Sequence, residues 1–477
     1  MEKTAPAARS QLIVGTLAFA GIIGAIMQTI VVPFIGELPA LLGTSASNAS
    51  WVVTVTLLVG AVATPVSGRL GDLYGKKPLL LASTVPLIAG SVVCALSTAL
   101  VPMVIGRGLQ GLGVGIIPLG ISILRDVMPP AKLGGSIALI SASLGIGSAL
   151  GLPLAAAVGE HADFHVLFWG TAALATLVLA LIWWLIPSTP TTAQGRFDPI
   201  GALGLSAGLV CLLLGISKGA QWGWTSTATL GALAAALIIL LAWGAFELRH
   251  PDPLVDLRST ARPQVLMTNI ASVVVGFALY VQSLVAMQLL QLPAELGYGL
   301  GQSMLAAGLW MAPAGLVMMV VSPLGARLSA ARGPKTTLAV GALVIAAAYG
   351  AHLTLMGSAP GVMIAACLCT TGVAFAYGAM PALIMDAVPQ SETAAANSFN
   401  TLTRSIGTSA SAAVIGVVLA QMTTTAGGRT LPSEAGFQTA LAIGVGAGLL
   451  AALLTLAIPY RRAAPATEPA EHFTTAA

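Results

Sequence analysis

The sequence predicts an all-α integral membrane protein with fourteen spanning helices. They form two six-helix bundles related by a parallel repeat, with two extra central transmembrane helices between them. Three observations predict this class: the composition, the number of long apolar runs and an internal repeat. Of the 477 residues, 57% are hydrophobic and 8% are charged, and the mean hydropathy is +0.93. Soluble domains carry about 25% charged residues, so the chain is expected to reside in a membrane.

The apolar runs have the length of about 20 residues that a membrane helix needs. The first six, which form one half, lie at roughly 12–35, 51–68, 79–98, 101–124, 135–158 and 166–186. Two further runs follow at roughly 200–217 and 226–246. The last six lie at roughly 264–291, 302–326, 337–357, 360–385, 395–420 and 437–458. The first run is too long for a signal peptide and is interpreted as a retained span.

These runs divide the chain into two halves and an insertion. The predicted divisions are a cytoplasmic tail (1–10), a six-helix half (11–186), two inserted helices with their loops (187–263), a second six-helix half (264–460) and a cytoplasmic tail (461–477). The repeat supports the division, because Asp126-Val127-Met128-Pro129 recurs as Asp386-Ala387-Val388-Pro389 at an offset of 260 residues. Parallel-repeat transporters are built from such duplicated units.

The basic residues predict the topology. If both termini are cytoplasmic, sixteen Lys and Arg residues fall on the cytoplasmic side, and only Lys218 and Arg429 fall outside. This bias follows the positive-inside rule and predicts a multi-pass plasma-membrane protein. Because the basic residues are distributed by loop, topology explains the net charge of +4 better than a nucleic-acid partner does. The four cysteines lie in apolar runs, without disulfide or metal spacing.

Three motifs carry a family resemblance. The first is the glycine-punctuated, charged connection between the second and third spans, Gly68-Arg69-Leu70-Gly71-Asp72-Leu73-Tyr74-Gly75-Lys76-Lys77. The second is Arg107-Gly108-Leu109-Gln110-Gly111 in the fourth span, and the third is Gly147-Ser148-Ala149-Leu150-Gly151-Leu152-Pro153 in the fifth. Together they resemble the major facilitator superfamily, and the fourteen spans resemble its drug:proton antiporter branch. The resemblance covers residues 10 to 460.

The resemblance implies roles for these residues. Gly68, Arg69, Asp72, Gly75, Lys76 and Lys77 would form a conformational latch. In it, Asp72 would sit against the helix that begins near Thr393, while Arg69 and Lys76 compete for its carboxylate. Arg107, Gln110 and Gly111 would face the central cavity and take part in coupling. Gly147, Gly151 and Pro153 would form an antiporter-like motif, although the proline lies one residue later than in the family.

Each of these residues also has a structural interpretation. Asp72 could be an ordinary solvated loop charge, and the glycines of the fifth span could serve only helix packing. Arg107 could snorkel to the headgroups or donate hydrogen bonds to carbonyls at a helix break. Arg404, a third of the way into its span, could meet lipid phosphate, backbone carbonyls or a wet vestibule.

The first span departs from the family, because Met27 stands where relatives carry an acid. All sixteen acidic residues are expected in loops, tails or helix ends, so the candidate proton carriers are Glu37, Asp126 and Glu295. A pocket for lipophilic compounds would combine aromatic, methionine and amide side chains, and plain helix packing is the alternative for each. The candidates are Met27, Gln28, Tyr280, Gln288, Trp310 and Tyr377.

The function implied by the resemblance is secondary active efflux of amphipathic drugs or related compounds, by alternating access and proton antiport. The alternative is a uniporter or a differently coupled carrier of neutral or anionic metabolites, because no mid-membrane carboxylate is expected. No G-x-x-x-x-G-K-[ST] loop and no H-E-x-x-H motif occurs, so neither ATP use nor an enzyme is predicted. The expected partners are the substrate, protons and the bilayer. We expect no cofactor and a monomer, with the proton gradient as the energy source.

Overall fold

The fold is described from a computed structural model, which describes residues 7–191, 193–426 and 429–460. Fourteen of the described helices are long and apolar enough to cross a membrane, as the sequence predicts. The predicted tail at 461–477 and residues 1–6 of the other tail lie outside the described residues. Residues 7–10, predicted as tail, already belong to the first helix.

The first six spans comprise the first half, with two short helices after the first span and a break within the fourth. In chain order, these elements are α1 (Ala7–Thr29), the short α2 (Leu38–Leu41) and α3 (Ala46–Ala49), α4 (Trp51–Tyr74), α5 (Lys76–Ala95), α6 (Leu100–Gly111), α7 (Ile116–Val127), α8 (Pro130–His161) and α9 (His165–Leu185). A 3-10 turn over Leu112–Gly115 joins α6 to α7, so these two helices make one span.

The insertion and the second half follow. The insertion consists of α10 (Pro199–Trp222), α11 (Thr227–Glu247) and the short α12 (Leu257–Thr260). The second half consists of α13 (Pro263–Gln291), α14 (Met304–Arg332), α15 (Pro334–Leu355), α16 (Ala359–Ala387), α17 (Thr393–Gln421), the strands β1 (Thr423–Ala426) and β2 (Arg429–Pro432), and α18 (Glu434–Leu456). The two strands pair antiparallel. This hairpin was not foreseen from the sequence.

The connection between the second and third spans is shorter than predicted. Gly68 to Tyr74 form the last turns of α4, and α5 begins at Lys76, so the turn is made by Gly75 alone. Gly75 has φ 103°, a conformation that glycine adopts without steric cost. Gly333, 258 residues further along the chain, has φ 89° in the corresponding turn between α14 and α15. We call the end of the bundle that carries Lys76 and Arg332 the basic end.

Each half has its own hydrophobic core, and the halves meet mainly at two helix pairs, with smaller contacts between α8 and α16 and between α7 and α17. Ile13 and Leu80 belong to the core of the first half, whereas Val281 and Leu383 belong to that of the second. At one contact, α8 packs on α14 so closely that a Cβ on Gly315 would lie 2.7 Å from the Gly145 carbonyl oxygen. At the other contact, α4 packs on α17.

The insertion packs against both halves. Leu205 and Leu209 of α10 share a hydrophobic cluster with Ala61 of α4 and Leu402 of α17. At the end opposite the basic end, the Lys218 ammonium lies 2.5 Å from Ser50 Oγ and 4.6 Å from the Trp51 ring centroid. The insertion is therefore held by α4 and α17, the helices of the second of these contacts between the halves.

Candidate functional site

Asp72 joins the two halves at the basic end. Its side chain is 1% exposed, and its two oxygens accept hydrogen bonds from the backbone amides of Ala394, at 3.2 Å, and Ala395, at 2.9 Å. These amides lie in the first turn of α17, where unpaired N–H groups and the helix dipole favour an anion. The contact expected from the resemblance is therefore present. We call it the Asp72 contact.

Glycines allow the approach that this contact needs. A Cβ on Gly68 would lie 2.7 Å from the Ala394 carbonyl oxygen, and a Cβ on Gly71 would lie 2.5 Å from Leu119 Cδ2. Real Cβ atoms do not approach other atoms so closely, so a larger residue at Gly68 would push α4 away from α17, and one at Gly71 would displace the Leu119 side chain of α7. Gly68 and Gly71, which precede Asp72, therefore serve close packing, while Gly75 serves the turn.

The basic residues near Asp72 have other partners than predicted. Lys76 Nζ lies 2.6 Å from Asp126 Oδ2, and both side chains are nearly inaccessible to solvent. Lys77 Nζ donates to the Trp183 carbonyl oxygen at 2.9 Å. Arg69 is 9% exposed and forms no salt bridge within the described part of the chain. In this conformation neither Arg69 nor Lys76 forms a salt bridge with Asp72, because Lys76 is paired with Asp126 and the Asp72 oxygens accept from backbone amides.

Two further bridges between the halves involve Arg125 and Gln390, which the sequence analysis did not single out as functional. Arg125 donates to Thr393 Oγ1 at 2.6 Å, and Gln390 Nε2 donates to Asp126 Oδ1 at 3.3 Å. Arg125 was counted only as a topological charge. The repeated Asp-x-x-Pro sequence that follows it could have drawn attention to this position, because it marks the end of a span in each half.

Arg107 is buried and joins helices of the first half through hydrogen bonds. It is 1% exposed and donates to the carbonyl oxygens of Val52, at 3.0 Å, and Met27, at 2.7 Å, and to Gln110 Oε1, at 2.7 Å. Gln110 in turn donates to Ser91 Oγ at 2.9 Å. The expectation that Arg107 faces an open cavity is not met in this conformation. The alternative, hydrogen bonds to carbonyls beside a helix break, describes the observed contacts.

Small residues near Arg107 and in the fifth span bring helices together. A Cβ on Gly111 would lie 2.7 Å from the Thr56 carbonyl oxygen of α4. A Cβ on Gly147 would overlap the Ile22 carbonyl oxygen, and one on Gly151 would overlap Thr29 Oγ1, both of which belong to α1. Pro153 lies inside the continuous helix α8. The antiporter-like motif therefore packs α8 against α1.

Arg404 is the buried cation of the second half. It is 7% exposed, its guanidinium carbon lies 4.4 Å from the Tyr377 ring centroid, and it donates to Thr401 Oγ1 at 3.1 Å. It forms no salt bridge with a described residue. A cation–π contact thus takes the place of the three partners considered from the sequence.

A match to a family model shows which family the chain belongs to. A model for the Major Facilitator Superfamily matches residues 17–199 and 200–412. The chain belongs to the Major Facilitator Superfamily. It is 27% identical over 345 residues to the uncharacterised superfamily transporter YhcA of Bacillus subtilis, an alignment that covers 72% of this chain and 63% of that protein.

Relatives of this superfamily member include named exporters. The chain is 23% identical over 428 residues to multidrug resistance protein 3 of Bacillus subtilis, covering 87% of this chain and 80% of the relative. It is 28% identical over 399 residues to a probable actinorhodin transporter of Streptomyces coelicolor, covering 79% of this chain and 67% of that relative. The alignments with YhcA and with the uncharacterised superfamily transporter MT1926 of Mycobacterium tuberculosis cover 63% and 45% of the lengths of those two proteins. These relatives support the resemblance to the drug-efflux branch.

A solved structure shows the same fold. The human organic anion transporter MFSD10 matches with a TM-score of 0.67 at 15% sequence identity, covering 94% of this chain and 100% of that one. At this identity the likeness concerns the fold alone.

The structure of this superfamily member does not gather the predicted pocket residues into one cluster. Met27 belongs to the core of the first half and Tyr377 to that of the second, while Trp310 packs in a separate cluster. Gln28, Tyr280 and Gln288 are half-buried. These residues do not form one pocket in this conformation, and the substrate pocket stays a prediction.

The three candidate proton carriers also lie apart. Glu37 and Glu295 are exposed in connecting segments, next to α2 and in a 3-10 turn respectively, and Asp126 is paired with Lys76. Within the described spans, the acidic residues lie near helix ends, as the sequence predicts. A buried histidine was not anticipated: His352 of α15 is inaccessible to solvent, with Nδ1 3.1 Å from Gln282 Oε1.

A cavity of about 220 Å³ lies beside the Asp72 contact. It is bordered by Arg69 of α4, Asn269 of α13 and Ala395 of α17, and by residues 251–256 of the insertion. The basic end is therefore the meeting point of both halves and the insertion.

Proposed function

We propose that this chain is a secondary active efflux transporter of amphipathic drugs or related small organic compounds, and that it exchanges them for protons by alternating access. The named exporters among its relatives support the substrate class. The single observation that carries the mechanism is the Asp72 contact, a buried bridge between the halves at one end of the bundle.

The contact supports alternating access because it can break without unfolding either half. Asp72 and the α17 amides belong to different six-helix halves, and each half has its own core. When the halves rock apart at the basic end, water would hydrate both the carboxylate and the amides. The conformation described here is then the one closed at the basic end.

The orientation follows from the distribution of charge. We assign the basic end and both termini to the cytoplasm, since sixteen of the basic residues fall on that side in the sequence. We assign the protein to the plasma membrane, as a monomer whose chain encloses its own path. Closure at the basic end then leaves the pathway to open toward the outside, as an exporter requires for substrate release.

A second candidate is a uniporter, or a carrier coupled to another ion, for neutral or anionic compounds. Two observations favour it: Met27 occupies the first-span position of the family's acid, and its carbonyl oxygen accepts a hydrogen bond from Arg107. Because the Met27 side chain is apolar and its carbonyl oxygen is hydrogen-bonded within the protein, the first span has no carboxylate at this position to carry a proton.

Flux in proteoliposomes separates the candidates. The purified full-length protein would be tested against a panel of amphipathic cations, neutral compounds and anions, with and without an imposed pH gradient at clamped voltage. Antiport predicts accumulation that depends on the gradient. Saturable flux indifferent to the gradient would support the uniporter, and no saturable flux of any compound would contradict both.

A further inference from the structure

Two buried carboxylates meet at the basic end of the insertion. Asp198, which precedes α10, is 3% exposed, and Glu247, the last residue of α11, is 2% exposed. A Cβ on Gly201 would overlap both Asp198 Oδ2 and Glu247 Oε1. The two oxygens therefore border the same small space, which only glycine leaves open.

Most of the carboxylate oxygens in this space have no hydrogen-bond partner in the described structure. Asp198 Oδ1 accepts from the Gly201 amide at 2.9 Å, but Asp198 Oδ2 and both oxygens of Glu247 are buried without a partner. The indole N–H of Trp243 and the backbone amides of Leu254 and Val255 face Glu247, but none of them completes a full hydrogen bond to its carboxyl oxygens. Unpaired buried charges are strongly unfavourable, so the two carboxyl groups are not expected to be ionised together.

No described cation neutralises the pair. His250 Nδ1 is 3.9 Å from Asp198 Oδ2, but this nitrogen accepts the backbone N–H of Asp252 at 3.2 Å and so carries no proton to donate. The Asp252 carboxylate, which faces the same loop, accepts from the Arg196 amide at 3.3 Å. Neither carboxylate of the pair forms a salt bridge to a described Lys or Arg.

The helix ends distinguish the two acids. Asp198 caps the N-terminus of α10, where the helix dipole and a backbone amide favour the ionised form. Glu247 stands at the C-terminus of α11, where the dipole is negative, and it adjoins a second carboxyl group. Two carboxyl groups that share a desolvated space cannot both ionise readily. We propose that Asp198 and Glu247 form a proton-binding site, in which protonated Glu247 donates a hydrogen bond to the Asp198 carboxylate.

The site is connected to the basic-end closure through the segment that follows Glu247. Leu254 and Val255 pack in one cluster with Leu402 of α17, and they border the cavity that Arg69 and Ala395 also line. Loss of the proton places two negative charges in the space beneath this segment. The two carboxylates then repel each other, and the segment at 248–262, whose amides face Glu247, moves with Glu247 away from α4 and α17, so the site senses pH at the basic end. This inference does not depend on which compound the protein carries.

Infrared difference spectroscopy on the purified full-length protein tests the proton directly. The wild type at neutral pH is expected to show a protonated-carboxyl C=O band that disappears in Glu247→Gln and shifts in Asp198→Asn, where the acceptor changes. Glu434→Gln, an exposed carboxylate at the start of α18, is the matched control and leaves the band unchanged. Absence of a band that depends on Glu247 would overturn the proposal, because both carboxylates would then be ionised.

Limited trypsin cleavage at Arg249 and Arg258, both exposed in the released segment, tests the consequence. Gln at position 247 keeps the donor, so Glu247→Gln should fold and stay docked at every pH. The cleavage rate of the wild type relative to this variant is expected to be close to one at about pH 6 and to rise several-fold at about pH 9. Taking the ratio at each pH removes the protease's own pH dependence. A ratio that stays constant would overturn the proposed release of the segment.

Discussion

Replacing Asp72 with Asn should open the basic end. The carboxylate accepts two backbone hydrogen bonds, and bonds to a charged group contribute about 1.5–3 kcal/mol each. The amide oxygen of Asn can keep one neutral bond of about 1 kcal/mol, while its NH₂ group faces a second backbone donor. The closed conformation should lose about 2–5 kcal/mol, which raises the open-to-closed ratio at least about 25-fold.

Distances between spin labels at the basic end would measure this opening. Cysteines at Tyr74 and Arg332, exposed at the ends of α4 and α14, carry the labels in a background without the native cysteines. The Asp72→Asn variant should show a new population at longer distance. Asp163→Asn, a matched change at an exposed site on the opposite end, should resemble the parent protein. Equal distance distributions in all three proteins would refute the argument from the Asp72 contact.

Three other predictions concern packing and buried charge. Arg107→Met removes the hydrogen-bond donor from two buried carbonyl oxygens, so the free energy of unfolding should fall by about 3 kcal/mol. This loss would be measured as a lower melting temperature in detergent, and an unchanged melting temperature would contradict the buried network. Tyr377→Leu should lower the melting temperature more than Tyr377→Phe, because only Phe keeps a cation–π contact with Arg404, worth about 1–2 kcal/mol. Gly315→Leu should force α14 from α8 at a cost of at least about 1–3 kcal/mol and abolish flux, whereas Gly446→Leu, where a Cβ meets nothing within 4 Å, should not. Flux that survives in the Gly315 variant would show that this close contact is dispensable.

The architecture could be predicted because each span is a local property of the sequence. A run of about 20 apolar residues must satisfy its backbone as a helix in a bilayer, so all fourteen helices were foreseen. Their ends were harder to place, because charged residues also lie on helical turns beyond the apolar core. Thus Gly68 to Tyr74 belong to α4, and α14 runs on to Arg332.

The partners of polar residues could be predicted only in part. The resemblance placed Asp72 against the start of α17, and the structure has that contact. It did not indicate that Asp126 would form a salt bridge with Lys76, or that Arg107 would donate hydrogen bonds to backbone carbonyls. Such partners come from helices far apart in the chain. Asp198 and Glu247 went unnoticed for the same reason, because each resembles an ordinary charge at a helix end until α10 and α11 are packed together.

Proton movement during substrate uptake tests the central claim most directly. Proteoliposomes loaded with a pH-sensitive dye, with no initial pH gradient and with voltage clamped, would receive a transported amphipathic compound on the outside. Proton antiport predicts that substrate entering the lumen drives protons out, so the lumen becomes alkaline at a rate that saturates with substrate. Saturable uptake with no change in the lumenal pH would contradict proton antiport and favour the uniporter or a carrier coupled to another ion.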